Sequence, residues 1–155
     1  MKTTSLSLWL IACASAAPIS WDPPADTVDP TSIVTTGSLV EAINGTAAGG
    51  DVTINGVDFS PSNALLPNAA AAFALSGQTT LDTGLDALLN NVEFGGGTST
   101  SITVGGGSLI VGQIYAIQIF FTDLRSSTSG RVMTFGDGEG NTVDVTASGA
   151  PGTFG

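Results

Sequence analysis

Histidine is absent from this 155-residue chain, and its single cysteine, Cys13, lies close to the N-terminus. Without histidine, the sequence excludes Ser-His-Asp and Cys-His catalysis and any histidine-ligated metal site. A lone cysteine forms no intrachain disulfide, so the fold must be stabilised by its core. Basic residues are also scarce, with 3 against 13 acidic residues and a formal net charge of -10. This charge repels nucleic-acid phosphates and anionic lipid surfaces, so the sequence predicts a protein that binds neither.

The length and hydropathy of the chain indicate one folded domain. A chain of 155 residues can bury a real core, but it is too short for two domains of ordinary size. Hydrophobic residues make up 42% of the chain, which is enough apolar surface to oppose disorder. No segment approaches the ~20 consecutive apolar residues of a transmembrane helix. We therefore expect no transmembrane segment.

The N-terminal 17 residues have the arrangement of a secretory signal. Lys2 provides a positive charge, residues 6–12 form a short apolar run, and Ala14-Ser15-Ala16 is a small-residue cleavage pattern. We expect cleavage after Ala16 or Ala17 and an extracytoplasmic location. An alternative interpretation is that residues 10–13 form a lipobox, which would make Cys13 the acylated first residue of a lipoprotein.

Residues 109–125 contain the strongest strand pattern of the chain. Side chains of opposite parity would point to opposite faces of an extended segment, and both faces carry apolar groups such as Tyr115 and Phe120. Their β-branched and aromatic content is typical of a half-buried pleated surface. We predict that this segment is the central strand of a two-layer packing.

Short strands separated by glycine-rich turns are predicted along the rest of the chain. Further strands are expected at 36–44, 101–104, 132–135 and 142–145, with an edge strand at 19–21, and Asn55-Gly56 signals a hairpin or a bulge. Residues 69–74 fit a helix by their alanine content, whereas Phe73 and Leu75 suit a strand that begins near them. The leucine spacing at 85–89 predicts one short helix that begins near Asp82 or Thr83. The fold class is therefore an all-β antiparallel sandwich or barrel with one short helix.

Two segments carry candidate binding residues. Asp137, Glu139 and Asn141 alternate with glycines in one loop and offer the oxygen atoms that calcium prefers, although the same residues are common turn formers. Trp21 could stack on a sugar ring or bury itself at one end of the sandwich. These alternatives stay open at the level of sequence.

Asp123 and Arg125 form a third candidate ligand-binding pair. Two residues apart on an extended chain, they would share a face and could grip a sugar hydroxyl. The alternative is a simple ion pair at the end of a strand, contributing ~0 to 1 kcal/mol if exposed.

Five segments and one short motif carry a resemblance to known proteins. They are residues 19–21, 36–44, 52–59, 88–91 and 111–125, and Gly130-Arg131-Val132. The chain resembles secreted proteins of planctomycete and verrucomicrobial bacteria, many of which carry a C-terminal PEP-CTERM sorting signal, and its strand pattern resembles malectin-like, galactose-binding-like jelly rolls. The resemblance implies an antiparallel jelly-roll β-sandwich and leaves the ligand open. No Pro-Glu-Pro motif, apolar helix or basic tail follows Gly155, so we predict no sorting signal for this chain. Because residues 150–155 resemble a turn that leads into a further strand, we expect residues 18–155 to be a β-sandwich domain without its last strands.

The sequence therefore predicts a secreted, non-catalytic module that binds a glycan or a component of the cell envelope. An alternative is a structural protein of the matrix or surface that assembles with copies of itself. A third hypothesis is a glycan hydrolase that uses a carboxylate pair, such as Asp123 with Asp137 or Glu139. An exposed aromatic platform would favour binding, a flat apolar edge would favour assembly, and paired carboxyls in a cleft would favour hydrolysis.

Overall fold

A computed structural model describes residues 18–27, 29–45, 50–62, 69–74, 80, 82–95, 99–121 and 130–146. Within these ranges the chain is mostly β-strand, with one short α-helix. The strands are β1 (Ile43–Asn44), β2 (Val52–Ile54), β3 (Val57–Pro61), β4 (Ala69–Ala74), β5 (Asn91–Gly95), β6 (Val132–Gly136) and β7 (Thr142–Thr146), and the helix is α1 (Thr83–Asn90). A single 3-10 turn at Pro30–Ser32 precedes them.

These strands form three small sheets. The first has the order β1-β3-β2, with β1 parallel and β2 antiparallel to β3. The antiparallel pairs β4-β5 and β6-β7 form the other two. The β-rich class expected from the sequence is confirmed at this coarse level. None of the helices in the described ranges is long and apolar enough to cross a membrane.

The hairpin predicted at Asn55-Gly56 is confirmed, and the strands predicted at 132–135 and 142–145 are also present and pair with each other. In both pairs the turn sequence explains the geometry. Asn55 and Gly56 join β2 to β3 with φ angles of 50° and 78°, the left-handed conformation that a two-residue hairpin turn requires. Gly138 and Gly140 likewise have positive φ in the loop between β6 and β7. The alternative of a bulge at Asn55-Gly56 is therefore wrong.

The predicted helix is also confirmed, with bounds close to those expected. Asp82 is its N-cap, and its carboxylate accepts a hydrogen bond of 2.8 Å from the Leu85 N–H. Leu85, Leu88 and Leu89 are buried, as their three- and four-residue spacing requires. Gly84 lets the helix approach β2 closely, because an added Cβ would lie 3.1 Å from the Thr53 carbonyl oxygen.

The core lies between this helix and the β2-β3 hairpin. It consists of Ile33, Ile54, Val57, Phe59, Leu85, Leu88 and Leu89. Phe120 packs against it from a distant part of the chain, with its ring 6.4 Å from that of Phe59 and nearly perpendicular to it. The packing of one helix on one hairpin therefore supplies the main core of the described residues.

The predicted central strand is wrong within the described residues. No residue of 113–121 belongs to a strand, and the part beyond residue 121 lies outside the described ranges. The contact of this segment with residues 32–34 is made by a side chain: the Gln118 amide donates to the Ser32 carbonyl at 2.7 Å and accepts from the Val34 N–H at 3.0 Å. These two main-chain groups of residues 32 and 34 are therefore bonded to a side chain and not to a strand.

Other strand predictions also need correction. Residues 19–21 and 101–104 are not strands, and of residues 36–44 only Ile43 and Asn44 pair. Conversely, residues 69–74 are strand β4, so the helical alternative for this alanine-rich segment is wrong. Pairing with β5 overrides the helix propensity of alanine, which is a weak preference in comparison. The predicted signal segment 1–17 lies outside the described residues.

Candidate functional site

Two candidate regions that the sequence placed far apart come together in the structure. The Trp21 indole N–H donates to the Asn141 carbonyl at 3.1 Å, and the Ile19 N–H donates to the Asp137 carboxylate at 3.2 Å. These partners are 118 and 120 positions apart along the chain. We call the four residues the N-terminal clasp, because they hold the segment at 18–21 against the β6-β7 loop.

The carboxylate of Asp137 is the centre of this clasp. One of its oxygens accepts from the Glu139 N–H at 2.8 Å and from the Asn141 N–H at 3.2 Å. The other accepts from the Asn141 side-chain amide at 2.6 Å and from Ile19. The Asn141 amide first, and then the main-chain N–H groups, lower the pKa of Asp137 from 3.8 to about 2. The carboxylate therefore organises the loop by accepting hydrogen bonds.

This geometry bears directly on the calcium prediction for Asp137, Glu139 and Asn141. A cation would have to displace N–H donors from both oxygens of Asp137, and the Asn141 carbonyl already accepts from Trp21. Over the described ranges, no group of three or more His, Cys, Asp or Glu residues could hold a metal ion. Calcium binding stays a prediction, and the observed contacts favour the turn-forming interpretation of the loop.

Trp21 contacts the β6-β7 loop of the fold. Its side chain is half-buried and its only polar atom is bonded to the loop. A tryptophan that stacks on sugars presents an open ring face, whereas the indole N–H of this one is bonded to the β6-β7 loop. The arrangement favours burial of Trp21 over sugar binding. The other ligand candidates, Asp123 and Arg125, lie outside the described residues.

The structure also exposes an apolar surface that sequence reasoning missed. Large hydrophobic side chains are exposed in two segments, 34–40 and 109–117, and also at Val132 and Met133 of β6. In the second segment Ile114 and Val111 are 100% and 84% exposed. We call the exposed residues of these segments the apolar face: Val34, Leu39, Val40, Leu109, Ile110, Val111, Ile114 and Ile117. Monomeric proteins rarely expose many such residues together. The strand predicted at 109–125 would be half-buried, so the sequence does not indicate that its side chains are exposed.

Hydrogen bonds at both ends join the two segments of the apolar face. At one end the Gln118 side chain binds the main chain of Ser32 and Val34. At the other end the Glu41 carboxylate accepts from the Gly105 N–H at 2.6 Å. The segments therefore run beside each other in opposite directions, and their exposed residues belong to neighbouring stretches of surface.

Comparison of the chain with protein-family models, curated proteins and solved structures found no match.

The clasp should loosen between about pH 4 and pH 2. A carboxyl whose pKa is lower in the folded state stabilises that state above its ordinary pKa of 3.8 and loses this effect as the pH falls through about 2. In a Trp9→Phe chain Trp21 is the only tryptophan, so its fluorescence emission should shift to longer wavelength over this range.

An Asp137→Asn variant of the same chain is the matched control. The substitution places an amide N–H toward the Ile19 and Asn141 donors, which removes their acceptor. The fluorescence emission of Trp21 should therefore already lie at longer wavelength at pH 7. Its emission should also change little with pH. A parent chain whose emission stays constant down to pH 2 would show that Asp137 does not hold the segment.

Proposed function

We propose that this protein is a non-catalytic structural protein that assembles with copies of itself outside the cytoplasm. The observation that carries the proposal is the apolar face, with eight exposed aliphatic side chains on two adjoining segments. Burial of such surface on association is favourable by about 25 cal/mol per Å². Exposed apolar patches of this kind typically mark interaction surfaces.

The arrangement of the polar candidates supports the same choice. The indole N–H of Trp21, a candidate for glycan binding, and the carboxylate of Asp137, a candidate for calcium binding, are bonded within the chain. The other two ligand candidates, Asp123 and Arg125, lie outside the described residues. A hydrolase pairs a general acid of raised pKa with a second, ionised carboxylate. The lowered pKa of Asp137 does not suit the general acid, and its suggested partner Asp123 lies outside the described residues. Assembly requires no free polar group, and it therefore fits the described residues better than either alternative.

The proposal also includes the extracytoplasmic location and the jelly-roll topology expected from the sequence. An extracytoplasmic location rests on the signal-like segment 1–17, and an acidic, lysine-poor surface suits it. The jelly-roll topology stays a prediction. An experimental structure that placed the three described sheets in two packed layers with jelly-roll connections would establish it.

Sedimentation velocity of the chain over a range of concentrations tests the function. We expect reversible association, with the weight-average sedimentation coefficient rising as the concentration rises. A glycan-array screen of the same sample, with calcium and with a chelator, should show no selective binding. A monomer at every concentration that binds one glycan class would overturn the proposal and establish the binding module.

A further inference from the structure

We propose that the apolar face is the surface through which two copies of this chain associate, face against face. The inference rests on the proposed self-assembly and specifies its surface and its partner. Area, charge and main-chain conformation all support a second copy as the occupant. The contact is isologous, because the same patch is used on both molecules.

The area of the face is what a small specific interface needs. Eight aliphatic side chains, exposed between about 40% and completely, present apolar surface on the order of 500 Å². This amount lies at the upper end of what monomeric proteins expose in one patch. Two faces together would bury on the order of 1,000 Å², which is the lower limit for a specific interface.

The charge distribution favours a like partner over a charged one. Residues 32–41 and 105–121 contain a single charged side chain, Glu41, and its carboxylate is already bonded to Gly105. The whole chain nevertheless carries a net charge of -10. A cationic partner would find no counter-charge on this face, whereas two copies can meet here without burying like charges.

The same charge distribution predicts how association responds to salt. Two copies with a charge of -10 repel each other at long range, and salt screens this repulsion with a Debye length of about 10 Å at 0.1 M. The apolar contact itself is not weakened by salt. Raising the salt concentration should therefore strengthen association, the opposite of what charge attraction to a basic partner would give.

The main chain of this region is consistent with such a contact. Residues 113–121 belong to no strand, so they form no ladder with the strands that the structure describes. Phe120 and Phe121 attach the end of the segment to the fold through ring contacts with Phe59 and Phe135. Residues 109–114 and 116–118 are therefore exposed on a segment whose end is attached to the fold.

An Ile114→Asp variant of the full chain tests the face. Ile114 is completely exposed, so the substitution leaves the core intact but places like charges on two opposed faces. We expect the dimer dissociation constant from sedimentation equilibrium to rise at least about tenfold. An Ile114→Lys variant should weaken association in the same way, and mixing the two variants should restore it, because opposite charges then face each other.

Controls separate the face from general charge effects. Ser20→Asp and Ser99→Asp each add one negative charge at an exposed polar position that is not among the eight residues of the face, and both should associate like the parent chain. Equal weakening by these controls would overturn the proposed face. An Ile114→Asp chain that associates as tightly as its parent would also overturn it, while leaving assembly through another surface intact. A parent chain that stays monomeric at low and high salt would overturn both this inference and the proposed function.

Discussion

Replacing Leu85 by alanine should lower the free energy of unfolding by about 3 kcal/mol. Leu85 is 0% exposed and lies where the helix meets the β2-β3 hairpin, so the substitution removes apolar contacts and leaves a cavity. Because this helix and hairpin supply the described core, little other packing can compensate. Urea unfolding followed by far-UV circular dichroism measures the change.

The same substitution at Leu39 is the matched control. Leu39 is 62% exposed and belongs to the apolar face, so its replacement by alanine should change the free energy of unfolding by less than about 0.5 kcal/mol. The contrast distinguishes burial from a general effect of leucine. Similar values for the two variants would show that the helix does not carry the core.

Replacing Asn44 by aspartate should lower the free energy of unfolding near neutral pH at least as much as Leu85→Ala does. Asn44 is 0% exposed, and its side-chain amide donates to the Gly50 carbonyl at 3.1 Å, while its Oδ1 has no hydrogen-bond partner among the described residues. A carboxylate there would lose the donor and bury an uncompensated negative charge. Such charges cost about 3 to 5 kcal/mol.

The pH dependence identifies the cause of this loss. Burial raises the pKa of a carboxyl, so an aspartate at position 44 would bind a proton in the folded state before it does so in the unfolded chain. The difference in unfolding free energy from the parent chain should therefore shrink as the pH falls from about 7 to about 4.5. The protonated carboxyl can also donate to Gly50, as the amide does.

Asn55→Asp is the control for this variant. Asn55 is exposed in the β2-β3 turn, and its amide makes one bond of 3.2 Å to the Ile33 carbonyl. Losing that bond should cost about 1 kcal/mol, with little dependence on pH. A pH-independent loss in the Asn44 variant would show that a lost hydrogen bond, and not a buried charge, is responsible.

Self-assembly and the stability predictions are linked through the two segments of the apolar face. Ile33, a core residue, immediately precedes Val34, and Phe120 packs on the core two residues after Gln118. The face is therefore presented by segments whose ends are anchored in the core. A variant that weakens the core, such as Leu85→Ala, should also weaken association, whereas Ile114→Asp should weaken association without changing the unfolding free energy of the monomer, measured on dilute samples.

The sequence by itself determined the elements whose causes are local. Asn55-Gly56 requires a tight turn, Asp82 caps a helix three residues before Leu85, and the leucine spacing selects the face that is buried. The glycine-rich loop at 137–141 is likewise visible as a turn. In each case the interacting groups lie within a few residues of one another, so their pattern can be read along the chain.

Only the tertiary structure decided the features that depend on distant partners. Residues 69–74 are a strand because β5 pairs with them, whereas residues 113–121 have no such partner among the described strands. The contact between Trp21 and the loop at Asn141 joins residues 120 positions apart, and no local pattern predicts it. The exposure of Ile114 has the same origin, since burial is determined by what the rest of the fold places beside a side chain.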